Sequence, residues 1–134
     1  MSLRIAVGAD HAGFSLKKSI ADYLSLQGHH VTDFGAYSTE PGDQPDFAHP
    51  VAQAVERGES TWGILVGDSG NGVAITANKH PGIRAGVAWN TQVAALVRQH
   101  NDANILCVPS RFISLEEALA CVNIFLKTNF EKRG

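Results

Sequence analysis

The sequence predicts an α/β domain built on a parallel sheet with helices on both faces, and three observations predict it. Short apolar runs that suit buried strands alternate with segments of helical spacing along the whole chain. The runs end in stretches rich in glycine and aspartate, where open parallel sheets hold their ligands. Finally, 134 residues with 44% apolar and 18% charged side chains suit one folded core, so residues 1–134 are expected to form a single domain.

Arg4–Gly8 is an apolar run that stops at a glycine and reads as a buried strand. Asp10-His11-Ala12-Gly13 follows as a loop. Phe14, Leu16, Ile20, Tyr23, Leu24 and Leu26 then recur at helical spacing, with Gly28 placed to end the helix. Val31–Phe34 is a short strand, and Gly35 to Asp46 has the Gly, Pro, Ser and Asp content of a loop. Phe47, Val51, Ala54 and Val55 mark a helix over Phe47–Arg57, ended by Gly58. Trp62–Val66 is the strongest buried-strand segment and runs into Gly67–Gly72. Val73–Asn78 reads as a helix, Arg84–Trp89 as a strand, Thr91–Gln99 as a helix, Ile105–Val108 as the last strand and Leu115–Phe125 as the last helix. No internal repeat or linker interrupts the pattern.

The net charge of −2 supplies no basic field for nucleic acid or an anionic membrane. Cys107 and Cys121 lack the spacing of a zinc site or disulfide framework and are expected to pack as small apolar residues. The N-terminus lacks the long apolar run of a signal peptide, and no stretch approaches transmembrane length, which reads as a cytoplasmic protein.

Chemistry is concentrated in a few places. Gly67-Asp68-Ser69-Gly70-Asn71-Gly72 places three glycines in six residues between a strand and a helix. Such a turn presents unobstructed amide N–H groups beside a helix N-terminus, an anion cradle. It is neither a P-loop, since no Gly-Lys-Ser/Thr follows, nor a dinucleotide fingerprint, whose glycine spacing differs. The alternative is a plain turn with no ligand. Asp10-His11 can face the same crevice, or Asp10 can cap the next helix and leave His11 solvated. His100 ends a helix, where the dipole favours a cation and suits a proton donor, or merely a cap. Arg111, just after the last strand, suits forked binding of a phosphate, or is a surface charge. His29, His30, His49 and His80 read as surface or loop residues.

Four segments together resemble the ribose-5-phosphate isomerase B and galactose-6-phosphate isomerase family: VGADHAGFSLK from Val7, GILVGDSGNGVAITANKHPGIRA from Gly63, RQHNDANIL from Arg98, and Ser110-Arg111. The resemblance runs from about Arg4 to Glu131, with the motifs in the family's order. It implies a Rossmann-like domain with a five-stranded parallel sheet. It also implies a homodimer or tetramer whose sites combine residues of two subunits, no metal or cofactor, and interconversion of an aldose phosphate with its ketose isomer, such as ribose 5-phosphate with ribulose 5-phosphate. By the same resemblance, Asp10 and His11 match the family's aspartate–histidine pair. His100 matches the histidine that opens the sugar ring, and Ser69 the hydroxyl that helps it. Gly70, Asn71 and Gly72 match the loop whose amides hold the enediolate, with Gly67 lining the same place. Asn101 matches a substrate-binding asparagine and Arg111 a phosphate-binding arginine.

The sequence departs from the family at both places that carry its base: Gly67 stands where some members have cysteine, and Val73 where others have glutamate. Gln44 replaces a frequent tyrosine, and Lys132-Arg133-Gly134 is out of register with two C-terminal phosphate-binding arginines. Asp68 is the nearest ionisable substitute for the base. Three readings follow: a sugar-phosphate isomerase with a substitute base, a non-catalytic sugar-phosphate-binding homologue, and an isomerase or epimerase of a different sugar.

Overall fold

The computed structural model of the chain describes residues 2–35 and 47–131. Five strands alternate with five helices: β1 (Arg4–Ala9), α1 (Phe14–Leu26), β2 (His30–Asp33), α2 (Ala48–Glu56), β3 (Trp62–Gly67), α3 (Asn71–Ala77), β4 (Ala85–Val87), α4 (Thr91–Gln99), β5 (Ile105–Pro109) and α5 (Leu115–Lys127). All strand pairs are parallel, in the order β2-β1-β3-β5-β4. The expected fold class and its five parallel strands are therefore present. The expected Gly35–Asp46 loop, past Gly35, and the departures at Gln44 and 132–134 lie outside the described residues.

Strand alternation sorts the core into two layers. Ile5, Val7, Ile64, Val66, Leu106 and Val108 face α1, α4 and α5, where Ile20, Leu24, Ala94, Cys121 and Phe125 meet them. Ala6, Leu65, Ile105 and Cys107 face the other way, toward Val51, Val55, Ala74 and Ala77 of α2 and α3. The central strands are buried on both faces and so lack any polar alternation, whereas β2 alternates exposed and half-buried residues at the sheet edge.

The layering creates a crevice. The chain leaves β1 toward one face through α1, and leaves the adjacent β3 toward the opposite face through α3. Neighbouring strands whose connections part in this way leave a cleft beyond their carboxyl ends.

Local differences from the expected elements have local causes. The helix expected from Val73 begins at Asn71, because Gly70 takes a left-handed conformation (φ 82°) that lets the turn close early. The strand expected over Arg84–Trp89 is only Ala85–Val87. It is an edge strand, and the Asn78 side chain both accepts from the Ala85 amide (2.8 Å) and donates to its carbonyl (3.0 Å), closing the outer edge as a further strand would. His11–Gly13, expected as a loop, is a single 3-10 turn.

Two basic residues sit inside the core layers, which residue type alone does not suggest. Lys17 is 2% exposed and donates to both oxygens of Asp33 at 2.7 and 2.9 Å. Arg98 is 6% exposed and lies over the Trp62 ring, 4.4 Å from its centre. His49 and His80, expected as surface or loop residues, are half-buried, His80 in the turn after α3: His49 Nδ1 and His80 Nε2 approach to 2.7 Å, and His80 Nδ1 lies 3.3 Å from Glu56 Oε1. His29 is also half-buried and accepts from the Leu3 amide (3.1 Å).

Both cysteines are buried and unbridged, one in each layer. Burial pushes the Cys107 thiol up to about 12; burial, then the charge of Glu117, pushes Cys121 up to about 11. The thiolate is the reactive form, so the folded protein at pH 8 should leave dithiobis(nitrobenzoate) uncleaved and release two equivalents only when denatured. Rapid reaction of the native protein would contradict this packing.

Candidate active site

The crevice between the β1 and β3 ends is organised by Asp10. Its Oδ1 accepts from the Gly13 amide (2.9 Å) and its Oδ2 from the Asp68 amide (3.3 Å), while its own amide donates to Val66 (3.2 Å). One carboxylate thus ties the turn after β1 to the loop after β3. Asp10 does cap the following turn, as one reading of the sequence allowed, but it faces the crevice at the same time. Gly13 is required by close approach: a methyl group there would lie 2.6 Å from the Val66 carbonyl oxygen. His11 is half-buried rather than solvated. Its Nδ1 is sealed from solvent with no hydrogen-bond partner among the described residues.

The glycine loop continues the crevice. Gly67 and Gly70 are buried, whereas Ser69, Asn71 and Gly72 are exposed. The Asn71 amide donates to Ser69 Oγ (3.2 Å), a local turn that engages one of the three amides expected to face an anion. Among the described residues the Gly70 and Gly72 amides have no such partner. The two departures at 67 and 73 meet in space. A methyl group on Gly67 would lie 3.3 Å from both methyl groups of Val73 and 3.4 Å from Asp10 Oδ2. Valine therefore covers one side of the place where a side chain at 67 would start, and the Asp10 carboxylate lies on the other.

Arg111 closes the far wall. Its Nε donates to Asp68 Oδ1 (2.9 Å), its Nη2 lies 2.9 Å from Asp68 Oδ2, and its amide donates to the Asp68 carbonyl (3.1 Å). Asp68 was expected as an ionisable group open to the crevice; both of its oxygens instead meet a guanidinium.

Nine of the eleven expected site residues gather at this edge: Asp10, His11, Gly67, Asp68, Ser69, Gly70, Asn71, Gly72 and Arg111. His100 and Asn101 do not join them. They follow α4, which runs back against the strands, and precede β5, so they lie at the amino end of the sheet. The five residues of β5 span roughly 16 Å between that turn and Arg111.

The turn bearing His100 and Asn101 is strongly held. Arg98 Nη1 donates to the Ala103 carbonyl (2.7 Å) and to Asp102 Oδ1 (3.1 Å), and its Nε donates to the Thr128 carbonyl (3.2 Å). Asp102 takes a left-handed conformation (φ 51°), rare for a residue with a side chain. Arg84 Nε donates to the Asn101 carbonyl (2.6 Å). Sequence reading missed Lys17 and Arg98, although each falls among the buried helix positions: 17, 20 and 24 in α1, and 94, 97 and 98 in α4. Among the described residues, no group of three or more His, Cys, Asp and Glu side chains could hold a metal ion, and no helix is long and apolar enough to cross a membrane.

Fold and site define a class: open parallel α/β domains with a glycine loop at the switch point between β1 and β3 and an arginine after the neighbouring β5. Residues 5–134 match the family described as Ribose/Galactose Isomerase, and the chain belongs to that family. It is 45% identical to a Clostridium thermocellum structure of ribose-5-phosphate isomerase B, with a TM-score of 0.94 over 98% of this chain and 88% of that one. A Mycoplasma genitalium ribose-5-phosphate isomerase B with bound ribulose 5-phosphate is 39% identical, with a TM-score of 0.92 over 97% of this chain and 87% of that one. The Escherichia coli (strain K12) ribose-5-phosphate isomerase B is 44% identical over 128 residues, 96% of this chain and 86% of that relative.

Arg98→Met keeps the bulk beside Trp62 but strands two carbonyls and Asp102. Hydrogen bonds from a charged donor are worth about 1.5–3 kcal/mol each, with incomplete additivity, so a loss of about 2–4 kcal/mol is expected in urea unfolding. A change below about 0.5 kcal/mol would show that water replaces these contacts.

Proposed function

We propose that this protein is an aldose–ketose isomerase that interconverts ribose 5-phosphate and ribulose 5-phosphate through an enediolate. The observation that carries the reading is the convergence of a carboxylate, a glycine loop and an arginine on one crevice of a chain in this family. The bound ribulose 5-phosphate of the Mycoplasma genitalium relative supports the choice of sugar.

In this reading Arg111 takes the phosphate, a group its planar donor fork suits. The reacting carbons lie over the glycine loop. A base removes the proton from C2 of the open-chain aldose; the C–H pair becomes the C1=C2 bond, and the carbonyl pair moves onto O1. Donors already in place stabilise that charge without reorganising, and the Gly70 and Gly72 amides fill this role. The proton is then delivered to C1, the C1=C2 pair forming that bond, while the O2 proton passes to O1, which leaves a ketone at C2 and a hydroxyl at C1. No external oxidant or reductant enters the balance.

The base is Asp10 rather than Asp68. Asp10 Oδ2, which accepts only the Asp68 amide at 3.3 Å, lies 3.4 Å from where a side chain on Gly67 would begin, the position from which some family members project their cysteine, whereas the Asp68 carboxylate is turned toward Arg111. His11 lines the same crevice, and Ser69 assists His100 in opening the furanose ring.

His100 and Asn101 reach this crevice from a second subunit. Their place at the amino end of the sheet in their own subunit supports the composite site. So do the exposed apolar side chains Trp89, Phe112 and Leu115, which follow β4 and β5 on the crevice side and would be covered in a homodimer or a tetramer of dimers. The two unbridged thiols fit a cytoplasmic protein.

A coupled assay over pentose and hexose phosphates should register ribose 5-phosphate turnover in the wild type. Asp10→Asn keeps one of the two amide contacts and should lose kcat by roughly 10²–10⁴-fold; retained binding of a substrate analogue separates a lost base from a lost clasp. Analogue binding with no turnover of any sugar phosphate by the wild type would favour a non-catalytic homologue. Turnover of another sugar alone would shift the substrate.

Mixing His100→Ala with Ser69→Ala chains should restore activity through hybrid dimers that contain one intact site. Mixtures that exchange subunits yet never exceed their parents would refute the shared site.

A further inference from the structure

The Arg111 edge assigned to the phosphate is already occupied. A guanidinium binds two oxygens best along a flat edge made by Nε and one Nη, and Asp68 takes that edge with both carboxylate oxygens at 2.9 Å. A phosphate on the same edge must displace Asp68 or meet its charge at close range, and either costs affinity.

The pair is built to open. Its side chains are 67% and 44% exposed, so water and salt weaken their attraction. The backbones beneath them are fixed: the Asp68 amide donates to Asp10, and its carbonyl accepts from the Arg111 amide. Opening therefore needs only side-chain rotation about anchored Cα atoms. The other ion pairs of basic core residues lack this freedom. Lys17 is 2% exposed, and Arg98 is fastened by two backbone carbonyls and two aromatic rings.

We infer that Asp68 is a specificity-determining residue: it occupies the phosphate-binding edge of Arg111 in the empty site and yields it to a phosphorylated sugar. The inference rests on the reading that Arg111 binds the phosphate. A dianion with three terminal oxygens outcompetes a single carboxylate, whereas a neutral sugar or one ending in a carboxylate does not. Asp68 thus raises the KM for the sugar phosphate and keeps weaker anions off Arg111.

The test is a double-mutant cycle on the full-length protein, read by turnover of ribose 5-phosphate and by its binding in calorimetry. Asp68→Asn removes the charge and keeps the shape. It should lower KM and Kd by about 3–10-fold, the effect of one removed charge near a dianion in a largely solvated site, while kcat stays of the same order. It should also make ribonate a better competitive inhibitor. Arg111→Ala should raise KM, and adding Asp68→Asn to it should lower KM by a different factor than in the wild type, because only the charge repulsion is relieved and no guanidinium is left to free; equal factors in both backgrounds would show no competition for Arg111 and would overturn the inference. A higher KM in Asp68→Asn would show that Asp68 positions Arg111 and would overturn the inference. A hundredfold loss of kcat would make Asp68 the base, and unchanged constants would make the pair idle; either overturns it too. If Arg111→Ala leaves KM unchanged, the phosphate assignment itself fails. If Arg111→Ala raises KM but Asp68→Asn brings no gain, only the competition fails. Should Asp68→Asn not fold, Asp68→Ser is read in the same way.

Discussion

The site depends on one carboxylate. Asp10 joins the turn after β1 to the loop after β3 by accepting the Gly13 and Asp68 amides. Those two loops belong to connections that leave the sheet toward opposite faces, so nothing in the packing of either layer would hold them together. The glycine at position 13 lets the clasp close, since its Cα passes directly over the Val66 carbonyl. The Asp68 backbone is placed by the same clasp, and its carbonyl in turn accepts the Arg111 amide. The chain of contacts thus runs from β1 to β3 to β5, along the carboxyl edge of the three central strands.

Charge in this protein is arranged locally. The net charge is only −2, yet the two buried basic residues and the arginine of the crevice each have an acidic partner: Lys17 with Asp33, Arg98 with Asp102, Arg111 with Asp68. The three pairs differ in burial, and burial decides what each can do. Lys17 and Arg98 are themselves buried, so removing either carboxylate leaves a desolvated cation, and these two pairs fix structure. The solvated Arg111 pair can exchange partners at little cost and so suits a ligand site. Arg98 also explains how Asp102 holds a left-handed backbone beside His100: the guanidinium bonds both the Asp102 side chain and the next carbonyl.

Gly67 and Val73 are one local arrangement. The valine methyls fill space beside the glycine, where a larger side chain at 67 would crowd them at 3.3 Å. What remains ionisable at that spot is Asp10, whose second oxygen borders the same volume. The carboxylate nearest that spot thus belongs to the main architectural clasp of the crevice rather than to a side chain of the glycine loop.

The sequence by itself determined the layered α/β class, the order of elements and most of the crevice residues, because apolar runs, helical periodicity and glycine-rich strand ends are local signals that survive without a partner. Composition and spacing also settled the fate of Cys107 and Cys121, which pack in opposite layers as small apolar groups. Only the tertiary structure decided the pairings. Nothing near Asp68 in sequence announces Arg111, 43 residues away, and nothing near Lys17 announces Asp33. The strand expected over Arg84–Trp89 is present, but its shortening to Ala85–Val87 was not legible, because the Asn78 amide that closes its edge belongs to a different element. The separation of His100 from the glycine loop follows from the same cause: residue type and spacing say what a side chain can do, but the direction of each strand and helix decides which end of the sheet it reaches.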